Sequence, residues 1–445
     1  MDLKKVLIIA YDFPPYVSVG GLRPYSWYKY FKEFGIEPIV ITRQWDNKYG
    51  NYLDYIAPSV TAENITEKTN MGSILRAPYF PNFANKLMLK YGDSKYRIIR
   101  KTITAFYEFA QFLFFVGPKS SIYFAANEYL STNKVDVILA TGDPFILFHY
   151  ASKLSNKYNT PWIADYRDPW SQSKNNQKNI ILKKWNEYFE KKTLKNVTLI
   201  TTVNIFFKFQ ISRLIKKKQI LLLPNGYDPE IIEIIKNIKQ QNEILKIAYV
   251  GYIYDWHPLH SFLNVISNFI KNNKEVKLEV NFFGINMEDK LRNMLLTEFK
   301  PLNNIINIHS KIPNSQLMQR LSKENIMLLF NYYAFPGTKI YDYIALNRLV
   351  LLCYTDDIEG NELKKQHYLY NDIDGLPNDC QEKLIRETNS GYIIKDSNEL
   401  LITLERLYKE FIEKGFIKCN TINAEKYSRK HQVKELADII KKISI

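Results

Sequence analysis

Short apolar runs recur along the chain, separated by longer stretches in which apolar and polar residues mix. In the first half of the chain these runs cover residues 6–10, 36–42, 135–141, 162–165, 199–203 and 220–223. In the second half they cover residues 247–251, 278–284, 305–309, 326–330 and 349–353. Short runs that are rich in β-branched residues and end in Gly, Asp or Thr are typical of strands buried in a parallel sheet. The pattern therefore predicts a β-strand at each of these positions.

Helical periodicity fills the intervals, most clearly over residues 25–35, 145–158, 260–272 and 339–345. Alternating strands and helices favour an α/β fold with parallel sheets. The pattern restarts at residue 245, after a turn-forming run at 223–229. We therefore predict two Rossmann-like domains, at residues 1–222 and 223–420. Since ligands bind beyond the carboxyl ends of parallel strands, we expect both sheets to face a central cleft.

Residues 80–131 interrupt the alternation with cations followed by aromatic residues. The cations are Lys86, Lys90, Lys95, Arg97, Arg100 and Lys101, and the aromatic residues are Phe106, Tyr107, Phe109, Phe112, Phe114 and Phe115. This order suits a helix that lies in the interface of a membrane. The alternative interpretation is an inserted helical pair that packs on the first domain.

Composition narrows the class of protein. With 445 residues, 46% hydrophobic and 24% charged, the chain is expected to fold, and its net charge of +15 points to anionic partners. A bias toward Lys, Asn and Ile also explains part of that charge. Three cysteines cannot build a disulfide framework, and no nucleic-acid-binding module is recognisable. The apolar run at 6–10 is too short for a secretory signal and no run could span a membrane, so we expect a cytoplasmic protein.

Two motifs in the first half carry candidate chemistry. After the first strand, Gly20 and Gly21 permit close approach of the backbone to a phosphate, and Arg23 follows at the start of a helix. Arg167 and Asp168 follow a later strand, where an arginine can bind phosphate and a carboxylate can orient it or a sugar hydroxyl. Two further candidates at a strand end are Asp143 and His149. Each motif has a structural alternative: an ordinary turn, an internal ion pair or a packed histidine.

The most informative motif runs from Phe335 to Tyr343. Pro336 and Gly337 form a turn, and a helix is expected to begin near Thr338. Its N-terminus attracts phosphate, and Lys339 adds a mobile positive charge. Asp342 lies three residues later on the same helical face, where it can accept hydrogen bonds from a ribose or sugar diol. Together these groups meet the needs of a nucleotide-sugar; the alternative is a capped surface helix.

In order, the chain carries FPP…GG, RDPW, PNGYD, YVG, FFG and PGTKIYDYIA. This series resembles the family 4 glycosyltransferases, which have the GT-B architecture. The resemblance implies a retaining transferase that moves a sugar from a nucleotide-diphosphate donor to a glycan acceptor held by the first domain. It also implies a final helix, within residues 421–445, that crosses back onto the first domain. The basic segment suggests a polyprenyl-linked acceptor at the inner face of the cytoplasmic membrane, as in cell-surface polysaccharide biosynthesis.

The resemblance also assigns residues by position. Lys339 matches the lysine that binds the donor diphosphate, and Asp342 stands where the family usually has the glutamate that holds the ribose. Gly20 and Gly21 match the glycine loop near the donor phosphate and the acceptor. Further expected donor contacts are Gly251, Tyr252, Gly284, Ile312, Pro336, Gly337, Thr338 and Tyr341.

Two features depart from the family pattern. Ala334 stands where the first carboxylate of the family's paired motif is expected, and the basic residue that the family often has soon after the first strand of the second domain is missing after Gly251. Phosphate neutralisation is therefore expected from Lys339, Arg167 or Arg23. A sugar-nucleotide epimerase and a non-catalytic sugar-binding or scaffold relative remain alternatives. Asp372 and Asp374 have the spacing of a metal-binding DxD motif, but GT-B enzymes do not normally need a metal, so neither metal nor cofactor is expected.

Overall fold

The computed structural model describes residues 3–46, 52–172, 180–273, 275–332, 335–356, 358, 362–363 and 379–443. Contacts divide the chain into two compact units. The first consists of Met1–Pro224 and Arg429–Ile445, and the second of Asn225–Ser428. Residues 421–428, which the sequence grouped with the final helix, thus belong to the second unit.

The first unit contains an eight-stranded sheet in the order β3-β4-β2-β1-β5-β6-β7-β8. Its strands are β1 (Lys4–Ile9), β2 (Ile36–Arg43), β3 (Ile65–Lys68), β4 (Ser73–Ala77), β5 (Val137–Gly142), β6 (Trp162–Tyr166), β7 (Leu199–Thr202) and β8 (Ile220–Leu222). All neighbours are parallel except β3 and β4. The six strands expected in this half are confirmed within a few residues. The β3–β4 hairpin was missed because β3 is polar and exposed along its whole length.

The second unit contains a six-stranded parallel sheet in the order β11-β10-β9-β12-β13-β14. Its strands are β9 (Leu245–Val250), β10 (Leu278–Phe283), β11 (Ile306–His309), β12 (Ile326–Phe330), β13 (Leu349–Cys353) and β14 (Gly391–Ile394). Successive residues of β9 enter opposite cores: Ile247 and Tyr249 pack on one face, and Ala248 and Val250 on the other. Burial on both faces is the reason why these strands read as continuous apolar runs.

Helices cover the sheets. Those of the first unit are α1 (Val19–Tyr30), α2 (Tyr52–Ile56), α3 (Phe83–Tyr91), α4 (Arg97–Ala110), α5 (Ser120–Thr132), α6 (Ile146–Tyr158), α7 (Ile180–Thr193) and α8 (Ile205–Leu214). Those of the second are α9 (Pro229–Ile235), α10 (Leu259–Asn272), α11 (Glu288–Thr297), α12 (Asn314–Leu321), α13 (Lys339–Leu346), α14 (Cys380–Thr388) and α15 (Ser397–Lys414). Within the described part of the chain, no helix combines the length and apolar content needed to cross a bilayer.

The last helix, α16 (Arg429–Ile443), belongs to the first unit. Its buried residues Val433, Leu436 and Ile440 join the core that contains Trp27 and Phe31. These positions are spaced by three and four residues, which places them on one face of the helix. The chain therefore leaves the first unit at residue 224 and returns to it at residue 429.

Candidate functional site

The loop after β1 is ordered by two polar side chains, Asp12 and Ser18. Ser18 caps α1, because its Oγ accepts a hydrogen bond of 3.0 Å from the Gly21 N–H. The same hydroxyl donates to Asp12 Oδ2 over 2.8 Å. Asp12 was missed by the sequence analysis, although a polar residue just behind a buried strand is well placed for ligand contact. The expected glycine loop therefore includes a carboxylate.

Arg167 meets this loop at Gly20. A Cβ added to Gly20 would lie 2.0 Å from Arg167 Nη1 and 2.6 Å from Asp12 Oδ2. The guanidinium is held by backbone carbonyls: its Nε donates to Gly142 O over 2.9 Å, and its Nη2 donates to Asp143 O. Only a glycine at position 20 leaves room for this arrangement. Two motifs that are far apart in sequence thus converge at the carboxyl edge of one sheet.

Carboxylates gather around Arg167. Asp143 and Asp168 are exposed at the same edge of the sheet. The pKa of Asp12 is raised above its usual value, because burial outweighs the other effects. The Asp143 charge adds to the increase, while the Ser18 hydrogen bond and the Arg167 charge partly offset it. The cluster offers hydrogen-bond acceptors beside one fixed cation, which is a suitable arrangement for sugar hydroxyls.

Arg23 has a structural role instead of the expected phosphate contact. Its Nε lies 3.0 Å from both oxygens of Asp165, and its Nη2 donates to Oδ1 over 2.8 Å. Its Nη1 donates to Leu223 O over 2.9 Å. Both side chains are buried, and Asp165 also accepts hydrogen bonds from Thr141 and Thr201. An internal carboxylate therefore already neutralises this guanidinium, which favours the alternative of an internal ion pair over a phosphate contact at Arg23.

His149 likewise lies in a core. It is buried on α6 among the rings of Phe112, Phe115 and Phe189, at centroid distances of 5.7, 6.0 and 6.3 Å. Burial, assisted by nearby Lys153 and Lys192, lowers the pKa of His149 to about 4. This packing favours the alternative of a packed histidine, and an acceptor contact of His149 stays a prediction.

Glu190, which the sequence analysis missed, holds the loop that follows Arg167. Its carboxylate is fully buried and accepts hydrogen bonds from the Tyr166 hydroxyl at 2.9 Å and the Ser171 N–H at 3.0 Å. Within the same loop, Trp170 stacks on Phe145 with parallel rings 5.4 Å apart. The loop bearing Arg167 and Asp168 is therefore anchored at several points. Glu190 is distant in sequence, so local pattern alone could not identify it.

Three glycines shape the carboxyl edge of the second sheet. Gly251 follows β9, Gly284 follows β10 and Gly337 precedes α13, with φ values of +100°, +59° and +72°. These left-handed conformations favour glycine. A Cβ at Gly251 or Gly337 would meet nothing within 4 Å, so the requirement there is conformational and does not arise from crowding.

The N-terminus of α13 carries the expected donor-site residues. Thr338 is its N-cap but makes no side-chain capping hydrogen bond. Lys339 Nζ lies 3.5 Å from Asp342 Oδ2, and the lysine is about one-third exposed. Pro336 and Gly337 lead directly into this turn. Backbone amides, one cation and one carboxylate therefore occupy a single helical turn.

Two buried side chains position this turn. Tyr343 accepts a hydrogen bond of 3.0 Å from the Val250 N–H, which ties α13 to the end of β9 beside Gly251. Gln381 on α14 accepts from the Tyr332 N–H at 2.6 Å and donates to Pro336 O at 3.3 Å. The position of Tyr343 on an apolar helical face could have identified it, because a buried tyrosine hydroxyl needs a hydrogen-bond partner. Nothing in the local sequence predicts the positioning role of Gln381.

The other expected donor contacts divide by exposure. Tyr252 is exposed beside Gly251, and Ile312 is half-buried against the core. Tyr341 is buried, and its ring packs 5.8 Å from that of Tyr427, so its expected donor contact stays a prediction. Ala334, Asp372 and Asp374 lie outside the described residues. Among the residues that the structure describes, no group of three or more His, Cys, Asp or Glu side chains is arranged to hold a metal ion.

A polar network underlies β10 and β11. Asn281 Nδ2 donates to Glu324 Oε2 over 3.2 Å, and Asn281 Oδ1 lies 2.8 Å from His309 Nε2. Because an amide oxygen only accepts, this contact is a hydrogen bond in the tautomer of His309 that carries its proton on Nε2. Burial raises the pKa of Glu324 to about 7. Since the Gly284 N–H donates to His309 O, a carboxyl group that titrates near neutrality is connected to this edge of the site.

Comparison with known proteins supports the GT-B architecture without distinguishing family 4. The sequence matches no protein-family model, and no curated protein matches it either. Solved structures match over the whole chain. A UDP-forming α,α-trehalose-phosphate synthase from Burkholderia xenovorans is 10% identical with a TM-score of 0.59, covering 100% of both chains. Sucrose-phosphate synthase from Thermosynechococcus elongatus is 13% identical with a TM-score of 0.54, covering 99% of this chain and 96% of that one. A glycosyltransferase from Rickettsia africae is 13% identical with a TM-score of 0.54, covering 100% of this chain and 99% of that one.

Proposed function

We propose that this protein is a retaining glycosyltransferase that moves a sugar from a nucleotide-diphosphate donor to a glycan acceptor. The observation that carries the proposal is the first turn of α13, where the helix N-terminus, Lys339 and Asp342 lie beside the glycine turns of the second sheet. The architecture agrees, since the solved structures of similar fold include enzymes named for sugar-phosphate synthesis from UDP-linked donors.

The chemistry follows from where charge develops. As the bond between the sugar's anomeric carbon and the diphosphate breaks, negative charge grows on the leaving oxygen. The α13 amides and Lys339 stabilise that charge, and Asp342 accepts hydrogen bonds from the ribose. The acceptor oxygen bonds to the same face of the anomeric carbon, and its proton passes to the leaving phosphate. Gly251, Tyr252, Gly284, Ile312, Pro336, Gly337 and Thr338 complete the proposed donor contacts, and no metal is required.

The first unit is proposed to bind the acceptor. Arg167 and its surrounding carboxylates Asp12, Asp143 and Asp168 offer both charges to a hydroxyl-rich ligand. We propose that the acceptor is a lipid-linked glycan, used in cell-surface polysaccharide biosynthesis at the cytoplasmic face of a membrane. No role in nucleic-acid binding is proposed.

The test begins with a thermal-shift panel of UDP, GDP, ADP and dTDP. A ligand that binds only the folded state raises the melting temperature. We expect one nucleotide to shift it by several degrees and Lys339→Ala to abolish the shift. Lys383→Ala is the matched control. Lys383 lies on α14 of the same unit and also forms an ion pair with an aspartate, Asp379. If no nucleotide shifts the melting temperature at millimolar concentration, the donor site is wrong. Binding without turnover of the matching nucleotide-sugar would instead indicate a non-catalytic sugar-binding relative.

A further inference from the structure

Helix α4 exposes three of its large apolar side chains. Ile98, Ile99 and Phe106 are 81%, 49% and 64% exposed, whereas Ile103 and Tyr107 are half-buried and Ala110 is buried. A surface helix of a globular protein normally turns its large apolar side chains toward the core. α4 packs with α3, and these three side chains stay exposed beside that contact.

The exposed apolar surface extends beyond α4. Leu113 and Phe114, just after the helix, are 52% and 65% exposed, and Ile180 and Ile181 at the start of α7 are 75% and 73% exposed. The two helices are in contact, since the Phe109 and Trp185 rings lie 5.2 Å apart. We define the α4 surface as Ile98, Ile99, Phe106, Leu113, Phe114, Ile180 and Ile181. Clustered exposure of large apolar side chains is typical of an interaction site.

Cations in the segments that form the α4 surface outnumber the acids there. They are Lys86, Lys90, Lys95, Arg97, Lys101 and Lys183. The acids in these segments already have partners: Asp93 and Glu187 form ion pairs with Arg100 and Lys184, and Glu108 accepts a hydrogen bond from Gln111. This excess of positive charge disfavours docking of a second copy of the chain, which carries +15 overall. Apolar side chains ringed by Lys and Arg fit the headgroup layer of an anionic bilayer.

The segment after α4 also packs against the loop of the first unit that is proposed to bind the acceptor. Phe112, two residues beyond α4, stacks on Trp170 at 5.5 Å and on Phe189 at 5.0 Å. Trp170 belongs to the loop that carries Arg167 and Asp168. A lipid surface in contact with α4 is therefore linked to the loop proposed to meet the acceptor.

We propose that the α4 surface docks the protein on anionic lipid bilayers, with Ile98 and Phe106 inserted among the acyl chains and the surrounding lysines on the headgroups. The inference deepens the proposed function by naming the surface on which a lipid-linked acceptor would be met. It does not depend on catalysis, because membrane binding is measured without a donor.

The experiment is flotation of the full chain with vesicles of neutral lipid, or of neutral lipid with 30% anionic lipid, at low and high salt (about 50 and 500 mM, which changes the screening length severalfold). We expect flotation only with anionic vesicles and loss of most binding at high salt. The double variant Ile98→Glu and Phe106→Glu should bind at least tenfold more weakly. Ile98→Lys and Phe106→Lys should also weaken binding, because contact with the acyl chains is lost despite the added positive charge.

The matched control is the double variant Ile402→Glu and Ile412→Glu, on α15 of the second unit, where the two side chains are 57% and 62% exposed. It should float like the natural chain. All variants should keep the nucleotide-dependent thermal shift, so failure of docking and failure of the donor site are distinguishable. The proposal is overturned if the natural chain does not float at low salt, or if the control loses binding equally. It is also overturned if the Lys variant binds more tightly, or if sedimentation shows a dimer that the Glu variant dissociates.

Discussion

Replacing Gly20 with alanine tests how the structure places Arg167. The new Cβ would lie 2.0 Å from Arg167 Nη1, so the guanidinium must retreat by about 1.4 Å to reach ordinary contact at 3.4 Å. A misplacement of about 1 Å in an active site can cost about a hundredfold in rate. Alanine is also a better helix former than glycine by up to about 1 kcal/mol, so the fold should not be weakened. We expect Gly20→Ala to lower turnover about a hundredfold at an unchanged or higher melting temperature.

The assay is turnover of the nucleotide-sugar identified by the thermal-shift panel, with kcat and KM measured separately. Gly21→Ala is the control, because a Cβ there would lie 3.5 Å from the backbone of Asp12, at ordinary contact distance. It should retain activity within a few fold. The double variant Gly20→Ala and Arg167→Met should be no slower than Arg167→Met alone, since both changes remove the same guanidinium position. Turnover of Gly20→Ala close to that of the natural chain would refute the reasoning, as would multiplicative losses in the double variant.

Two further predictions concern residues that the structure assigns to packing. Arg23→Met should destabilise the first unit by about 3–5 kcal/mol in denaturant unfolding, because it leaves Asp165 buried and unpaired, yet the nucleotide shift should persist. Intact stability with loss of the nucleotide response would restore a phosphate-binding role for Arg23. His149→Phe should flatten the dependence of stability on pH. The folded state resists protonation of His149 down to about pH 4. The unfolded state takes up this proton from about pH 6.5 downward, so the natural chain loses stability as the pH falls through that window, by at most about 3 kcal/mol. Parallel pH profiles for the two proteins would contradict this assignment.

The sequence located most strands because their burial leaves a strong signal. Strands such as β9 bury both faces, so nearly every residue is apolar and the run stands out against its polar flanks. β3 gives no such apolar signal, because all four of its residues are exposed and the strand is held by pairing with β4. β14 is also only partly buried, and it was missed for the same reason. Local polarity cannot reveal strands whose stability comes from a partner.

The roles of site residues could also be predicted only where they depend on neighbours in the sequence. Lys339 and Asp342 share a helical face because of their spacing, so a sequence can place them together. Arg23 and Arg167 looked equivalent as candidates for phosphate binding. Their roles differ because Asp165 lies against one guanidinium, while the other is held by backbone carbonyls over Gly20.

The sequence by itself determined the α/β alternation, the restart near residue 245 and the composition of the α13 turn, because each depends on periodicity or spacing within one segment. Only the tertiary structure decided which arginine is buried, that Glu190 and Gln381 hold the loops, and that Ile98, Ile99 and Phe106 of α4 are exposed. These outcomes depend on contacts between residues far apart in the chain. The free energy of burying or pairing a side chain is set by the neighbours that the fold brings to it.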